Sequence, residues 1–194
     1  MWGYYLVVHI ILRLKLHIQM GLRIHGKAIL KKYKIELSHG AITIANHVYR
    51  LDCPCVLLAV NATHKTRIPM FAPNFRTKDG FFMRMAGGVP IPDSTTNMSA
   101  LKKFNEAFDE FHQRGWWFHI FPEACRWDFY KPLRPFQKGA FTMSYKYNKP
   151  ILPCVITYRE RKGIYRLFGP KELPLLTVTI GEPIFPDTTQ ARKT

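Results

Sequence analysis

The apolar run from Ile151 to Thr157 restricts how this chain can fold more than any other stretch of it. A near-continuous apolar run has no wet face, which is typical of a strand that is buried on both sides of a sheet. Sheets that contain such strands are covered by helices on both faces. The run therefore predicts an α/β fold.

Strand-like and helix-like segments alternate along the rest of the sequence. Strands are predicted near residues 41–45, 67–71, 89–92, 116–121, 164–168 and 175–180, and helices near residues 54–60, 78–86, 97–114 and 135–147. Strand 89–92 carries two prolines, which cannot donate to a ladder, so we expect it at an edge. A chain of 194 residues fits one domain. We expect a single α/β domain with a mostly parallel mixed β-sheet flanked by helices, and with antiparallel strands at the sheet edges.

The first 20 residues are interpreted as a separate N-terminal segment. From Ile10 to Met20, apolar residues alternate with mainly polar ones, and this period of two predicts a strand with one wet face. The aromatic start of the chain, WGYY, suits either a membrane interface or a buried first strand. The apolar stretch is shorter than the roughly 20 residues that a membrane span needs, so no transmembrane helix is expected. Residues 1–20 are predicted to be an interfacial segment and first strand, and residues 21–194 the main domain.

The chain carries a strong positive charge. Lys and Arg number 29 against 13 Asp and Glu, a formal net charge of +16, which predicts an anionic partner. Nucleic acid, anionic lipid headgroups and phosphorylated substrates all qualify, although no helix-turn-helix, zinc-finger or RNP fingerprint supports nucleic acid. The patch formed by Lys27, Lys31, Lys32 and Lys34 is either a solvated turn or a contact for lipid headgroups.

The four cysteines are Cys53, Cys55, Cys125 and Cys154. Their spacing matches no common zinc arrangement, and no secretion signal points to an oxidising compartment. We expect free thiols in a reducing cytoplasm and no metal site.

Residues 46–52 read NHVYRLD, with a histidine and an aspartate five positions apart. A histidine titrates near neutral pH and can act as a base, and a carboxylate beside it can fix its tautomer. Pro54 is tolerated only in the first turn of a helix, so the helix is expected to start near Asp52 or Cys53, with His47 in the preceding loop. Alone, the pair fits either a catalytic base with its orienting carboxylate or a loop histidine with a helix-capping aspartate.

Three further stretches follow in order: GGVPIP at 87–92, FPEACRW at 121–127 and KPILPCVI at 149–156. Together with NHVYRLD, they resemble the four blocks of the glycerolipid acyltransferase family, which includes the 1-acylglycerol-3-phosphate acyltransferases. In that family the blocks are NHxxxxD, a Gly-rich strand that ends in Arg, FPEGTRS and a Pro-containing strand. The resemblance covers about residues 22–184.

The resemblance implies a role for each block. His47 would deprotonate an acceptor hydroxyl, which then attacks an acyl thioester directly, and Asp52 would hold His47 in place. Glu123 and Arg126 would orient the acceptor and its phosphate, since a guanidinium matches phosphate oxygens. The structural alternative for these two residues is a mutual salt bridge at a strand end.

The remaining matched positions would shape the site. Gly87, Gly88, Pro150 and Pro153 would line the acyl or acceptor pocket, and Lys138, in PFQKGA, would contact phosphate. By the same resemblance no cofactor would be bound, and acyl-CoA or an acyl-carrier protein would supply the acyl group as a thioester.

The sequence departs from the family pattern at three places. Asp93 stands where the second block normally ends in Arg, and a carboxylate there suits an amine or hydroxyl of another acceptor. Ala124 and Cys125 replace Gly and Thr in the third block, which keeps its charges, alters its turn and makes Cys125 a candidate for inactivation by thiol reagents. The chain also stops soon after GEPI, without the terminal helices of many members, as in a minimal or truncated form.

The sequence thus predicts a membrane-surface O-acyltransferase that moves a fatty acyl group from an acyl thioester to a hydroxyl of a lysophospholipid. The first choice of acceptor is 1-acylglycerol-3-phosphate. We expect the protein at the cytoplasmic face of an anionic membrane, as a peripheral or monotopic protein. The alternatives are an acyltransferase with a non-phosphatidate lipid acceptor, a catalytically silent lipid-binding relative and a basic nucleic-acid-binding domain.

Overall fold

A computed structural model of the protein describes residues 2–62, 65–92 and 97–187. The helices are α1 (Trp2–Ile18), α2 (Lys27–Lys32), α3 (Asp52–Val60), α4 (Gly80–Met85), α5 (Met98–Gln113) and α6 (Gly139–Tyr147). The strands are β1 (Arg23–His25), β2 (Ile42–Ala45), β3 (Thr66–Phe71), β4 (Gly88–Ile91), β5 (Trp117–Ile120), β6 (Ile151–Arg159) and β7 (Leu175–Ile180). Short 3₁₀ helices lie at Ala72–Arg76 and Gly163–Leu167.

The seven strands form one sheet in the order β1-β7-β6-β2-β5-β3-β4. Each neighbouring pair is parallel except β6 and β7, which are antiparallel. Strands β2 to β6 therefore all end at one edge of the sheet, which we call the carboxyl edge, and begin at the opposite amino edge. The predicted single α/β domain with a mostly parallel mixed sheet is confirmed, as is the edge position of β4.

Apolar side chains cover both faces of the sheet. On one face, α1 and α3 contribute Leu16 and Val56 to a buried cluster with residues of β6 and β7. On the other face, α5 packs Phe108 against Phe118 of β5, with ring centroids 4.9 Å apart. All four residues of β2 are buried, as expected for a strand that is covered on both sides.

The predicted strand over Ile10 to Met20 is wrong, because residues Trp2–Ile18 form α1. Apolar residues at every second position also recur at every fourth position, which places them on the faces of a helix. Leu16 of α1 and Met20, just after the helix, are fully buried in the cluster that covers this face of the sheet. From residue 10 onward, where the structure describes the side chains of α1, four large apolar residues stay exposed: Ile10, Ile11, Leu14 and Ile18. None of the helices in the described residues has the length and apolar character needed to cross a membrane.

The predicted strand at 164–168 is also wrong, because this stretch contains the 3₁₀ helix Gly163–Leu167 between β6 and β7. Carbonyl groups in this connection bind a buried arginine instead of a neighbouring strand. Arg161 donates from Nη1 to Tyr165 O at 2.6 Å and from Nε to Leu173 O at 2.7 Å. These bonds fold the connection back on itself outside the sheet.

Candidate active site

NHVYRLD and FPEACRW meet at the carboxyl edge because β2 and β5 are neighbours in the sheet. Ile42 pairs with Phe118 and Ile44 with Ile120, so the two strands end at the same level. The residues that follow both strands therefore leave the sheet side by side, although they are far apart in the sequence.

His47 and Asp52 form the central pair of this site. The imidazole Nδ1 lies 3.2 Å from Asp52 Oδ2. The Asp52 side chain is fully buried, whereas that of His47 is 23% exposed. When Nδ1–H donates to the carboxylate, the lone pair remains on Nε2, so the neutral imidazole can accept a proton there. The prediction that His47 lies in the loop before a helix starting at Asp52 is confirmed.

The loop between these two residues is wrapped around the carboxylate. The backbone N–H groups of Val48 and Tyr49 donate to Asp52 Oδ2 at 2.5 and 2.6 Å. Asp52 is also the first residue of α3, where the helix dipole favours a negative charge. The carboxylate is thus fixed independently of His47. Its other oxygen, Oδ1, is buried and has no hydrogen-bond partner in the described part of the chain.

Asn46 attaches the start of the loop to β6. Its Nδ2 donates to Ile156 O at 3.0 Å, and Ile156 N donates to Asn46 Oδ1 at 2.8 Å. The two bonds extend the ladder between β2 and β6 beyond Ala45, the last paired residue of β2. No role was predicted for Asn46 from the sequence. An amide suits this position because it offers both a donor and an acceptor.

Aromatic rings support His47 from the β5 side. The His47 ring stacks on Phe121, with centroids 3.9 Å and planes 12° apart, and Phe121 meets His119 edge to face at 4.5 Å. His119, which the sequence analysis missed, is fully buried, with Nδ1 2.9 Å from Thr43 Oγ1. Burial, with a smaller effect from His47, lowers the pKa of His119 from 6.5 to about 3. His119 is therefore a neutral, structural neighbour of the pair at physiological pH.

Acid should destabilise the protein through His119. Below about pH 6.5 the unfolded chain binds a proton at His119, whereas the folded protein does so only near pH 3. The unfolded state then holds more protons, so the free energy of unfolding falls as the pH falls, by about 1.4 kcal/mol per pH unit in this window. We expect a loss of about 2 kcal/mol between pH 6.5 and about pH 5. Urea unfolding at both pH values measures this loss.

The variant His119→Asn should remove this pH dependence even though it lowers stability at neutral pH. The same substitution at His25, which is exposed, is the control and should leave the pH dependence as in the wild type. An undiminished pH dependence in His119→Asn would assign the acid sensitivity to another group.

Glu123 and Arg126, which were predicted to act together, have different partners. Glu123 Oε2 lies 2.8 Å from Nε of Arg134, and Arg126 Nε lies 2.8 Å from Oδ1 of Asp128. The mutual salt bridge considered from the sequence is therefore wrong. Glu123 is buried, and its Oε1 has no hydrogen-bond partner among the residues that the structure describes. The Arg126 side chain is 45% exposed.

Arg134 was also missed from the sequence, and it contacts most of the turn after β5. It donates to Cys125 Sγ at 3.1 Å and to the Cys125 carbonyl oxygen. Its guanidinium carbon also lies 4.9 Å from the ring centroid of Trp127. Within the same turn, Ala124 has a φ of 59°. This left-handed conformation costs a residue with a Cβ about 1–2 kcal/mol.

The turn after β5 continues along the His47 loop. Trp127 N donates to His47 O at 3.1 Å, and Phe129 N donates to Val48 O at 2.8 Å. The Phe129 ring also packs against Tyr49, with centroids 5.4 Å apart. The backbone position of His47 therefore depends on the conformation of the FPEACRW block.

The residues predicted to line a pocket lie at different places in the sheet. Pro150 precedes β6 and lies at the amino edge, away from His47, whereas Pro153 lies within β6 beside Ile44. Gly87 and Gly88 lie at the start of β4, where an added Cβ would come within 2.5 and 2.7 Å of backbone oxygens. These glycines allow close backbone packing, which is a structural role.

An apolar groove of about 450 Å³ does open beside the carboxyl end of β4, between β4 and α5. Its lining includes Val89, Ile91, Phe104 and Ala107, with Lys103 as its cationic member. Asp93 follows β4 in the sequence but lies outside the described residues, so its predicted role stays a prediction.

The four cysteines and Lys138 are the remaining residues with a sequence-based prediction. All four cysteines are free, with Cys55 and Cys154 buried and Cys125 exposed. The described residues contain no group of three or more His, Cys, Asp or Glu side chains that could hold a metal ion. Lys138 is exposed and directly precedes α6.

The fold and the site together define an α/β protein with a histidine–carboxylate pair at the carboxyl edge of a mostly parallel sheet. A family model described as Acyltransferase matches residues 21–157, so the chain belongs to the acyltransferase family. The protein is thus an acyltransferase, and the family predicted from the four blocks is confirmed.

The structure is also similar to that of the 1-acyl-sn-glycerophosphate (LPA) acyltransferase PlsC from Thermotoga maritima. The TM-score is 0.57 and the sequence identity is 20%, and the match covers 95% of this chain and 78% of that chain. At this identity the likeness shows a shared fold. A comparison with curated proteins gives no match.

Proposed function

We propose that the protein is an O-acyltransferase of phospholipid synthesis that moves a fatty acyl group to a hydroxyl of a lysophospholipid. The donor is a thioester of coenzyme A or of an acyl-carrier protein, and the first choice of acceptor is 1-acylglycerol-3-phosphate. The observation that carries the proposal is the pair formed by His47 and Asp52, a solvent-accessible imidazole held 3.2 Å from a fully buried carboxylate.

The proposed reaction needs no acyl-enzyme intermediate. Nε2 of His47 takes the proton of the acceptor hydroxyl while the hydroxyl oxygen attacks the carbonyl carbon of the thioester. Asp52 stabilises the imidazolium that forms. When the tetrahedral intermediate collapses, the C–S bond breaks, and the leaving thiolate takes the proton from His47. The products are an ester and a free thiol.

Cationic side chains near the pair would recognise the acceptor phosphate. Arg126 lies in the turn after β5, and its guanidinium fork matches two phosphate oxygens. Its present partner, Asp128, is 52% exposed, so their ion pair is weak and a phosphate can displace it. Lys138 would add a second positive charge, and the open Oε1 of buried Glu123 would accept a hydrogen bond from a hydroxyl of the acceptor.

The apolar groove between β4 and α5 would hold the acyl chain. The strand order places β4 three strand spacings from β2, about 14 Å, which a fatty acyl chain can reach from His47. The apolar lining of the groove has the chemistry of such a chain. In this proposal the groove replaces the pocket that the sequence suggested around Pro150 and the two glycines.

Two exposed apolar surfaces support a membrane location. The first is the outer face of α1, where the exposed Ile10, Leu14 and Ile18 are flanked by Arg13 and Lys15. Apolar residues with cations at their border are typical of helices that lie in the interface of an anionic bilayer. The second is the loop after β5, in which five large side chains are exposed beside basic residues. They are Trp127, Phe129, Tyr130, Leu133 and Phe136.

An acyl-transfer assay on lipid vesicles tests the proposal. The protein is incubated with a labelled acyl-CoA, or with an acyl-carrier-protein thioester, and with anionic vesicles that contain one lysophospholipid at a time. We expect 1-acylglycerol-3-phosphate to be converted to phosphatidate, which is identified by its mass. The conversion should be slower on zwitterionic vesicles, because the +16 charge favours an anionic surface. If acyl groups are transferred only to a lipid without a phosphate monoester, the proposed acceptor is wrong and that lipid takes its place. Absence of transfer to all the lysolipids, with both donors, would overturn the proposal.

A further inference from the structure

The turn after β5 contains an alanine in a conformation that favours glycine. Ala124 has a φ of 59°, and its N–H donates to Phe121 O at 3.0 Å to close the turn. Glycine adopts this region without steric conflict, whereas the Cβ of alanine opposes it. Alanine alone would therefore favour another shape of this turn.

One guanidinium joins the residues on both sides of Ala124. Arg134 donates from Nε to Glu123 Oε2 at 2.8 Å, and to both Sγ and the carbonyl oxygen of Cys125. Its side chain is 14% exposed, and that of Glu123 is 2% exposed, so water competes little for the bond between these two side chains. Because a guanidinium is planar and rigid, its donors fix Glu123 and Cys125 relative to each other.

This turn also supports the backbone of His47. Two residues beyond Cys125, Trp127 N donates to His47 O, and then Phe129 N donates to Val48 O. A change of shape at Ala124 would move these donors and with them the loop that carries the histidine.

We propose that Arg134 is a positioning residue that keeps the strained Ala124 turn in its active shape and acts on His47 through that turn. The effect on the reaction rests on the function proposed above, whereas the effect on the turn does not. The two are therefore tested by separate measurements.

The first measurement is amide hydrogen exchange over residues 121–131, which needs no substrate. Arg134→Ala should speed exchange at Trp127 and Phe129 by about tenfold or more, because it frees the turn. Adding Ala124→Gly to this variant should restore much of the protection, by about fivefold, since glycine removes the cost of the left-handed conformation. Strand β7 serves as the internal reference and should exchange as in the wild type.

The second measurement is the rate of acyl transfer for these three proteins and for Ala124→Gly and Arg134→Lys. Arg134→Ala should lower kcat by about tenfold or more with less change in KM, because a small displacement of a reacting group costs much in rate. Ala124→Gly alone should change kcat less than twofold, and in the Arg134→Ala background it should recover about fivefold. Arg134→Lys keeps the charge without the fork and should fall between the wild type and the alanine variant.

Arg114→Ala is the matched control. Arg114 also pairs with a glutamate, Glu110, and also lies over a tryptophan, Trp116 at 5.4 Å, but it is exposed and follows α5 at the amino edge. It should leave both measurements unchanged. If Arg134→Ala leaves exchange at Trp127 and Phe129 unchanged, or if Ala124→Gly recovers neither measurement, the proposal is overturned. If exchange responds as expected while no protein transfers acyl groups, the turn proposal stands and the proposed function fails.

Discussion

Replacement of His47 by alanine should lower the rate of acyl transfer by about 10²- to 10⁴-fold while the protein remains folded. The substitution removes Nε2, the proposed proton acceptor. The loop itself keeps its bonds from Asn46 to Ile156 and from Val48 and Tyr49 to the carboxylate, and none of these uses the imidazole. Initial rates with a labelled thioester measure the loss, and thermal unfolding shows whether the fold is retained.

His39→Ala is the matched control for this variant. His39 is exposed and precedes β2, so it lies at the amino edge, opposite to His47. Its variant should transfer acyl groups at the wild-type rate. A rate for His47→Ala within a few-fold of the wild type would exclude His47 as the base.

Replacement of Asp52 by alanine should both inactivate and destabilise the protein. The carboxylate is fully buried and accepts the N–H groups of Val48 and Tyr49, which alanine would leave without their acceptor. Each of these two groups costs about 1–3 kcal/mol when buried and unpaired, so the free energy of unfolding should fall by about 2–6 kcal/mol. Urea unfolding measures this change.

The variant Asp52→Asn separates the two roles of this carboxylate. Its amide oxygen can still accept from the backbone, so the loss of stability should be smaller than in Asp52→Ala. The negative charge is gone, so the imidazolium loses its stabilising partner, and the rate should still fall by about 10²-fold or more. Full activity in Asp52→Asn would show that the charge is not needed.

The fold could be predicted from the sequence where burial leaves one choice. The apolar run at Ile151–Thr157 predicts a strand that is buried on both faces; the structure confirms the strand, but only its first half is covered on both faces, because Val155 and Thr157 are exposed. The segment Ile10–Met20 allowed two structures. Apolar residues at every second position fit one face of a strand, and the same residues counted at every fourth position fit one face of a helix. Tertiary packing of Leu16 and Met20 selects the helix, and no local pattern shows that packing.

The site could be predicted where its parts are close in sequence. His47 lies in the loop before α3 and Asp52 is the first residue of that helix, whose start Pro54 located. Arg134 could not be found in this way, because its partner Glu123 is 11 positions away across an irregular segment. The helix predicted at 135–147 begins only at Gly139. Before it, Gln137 N donates to Pro122 O at 2.8 Å and belongs to the irregular segment.

The position of β1 bears on how the chain is completed during synthesis on the ribosome. β1 is an edge strand whose neighbour is β7, with Arg23 paired to Thr177. β1 therefore has no partner in the sheet until β7 has been made, and the apolar side of α1 has no complete surface to pack on until β6 and β7 have emerged. Pairing of strands that are so far apart in the sequence is slow, and until it is complete apolar surface stays exposed to solvent. The nascent N-terminal helix is thus exposed to chaperones or lipid before the sheet closes over it.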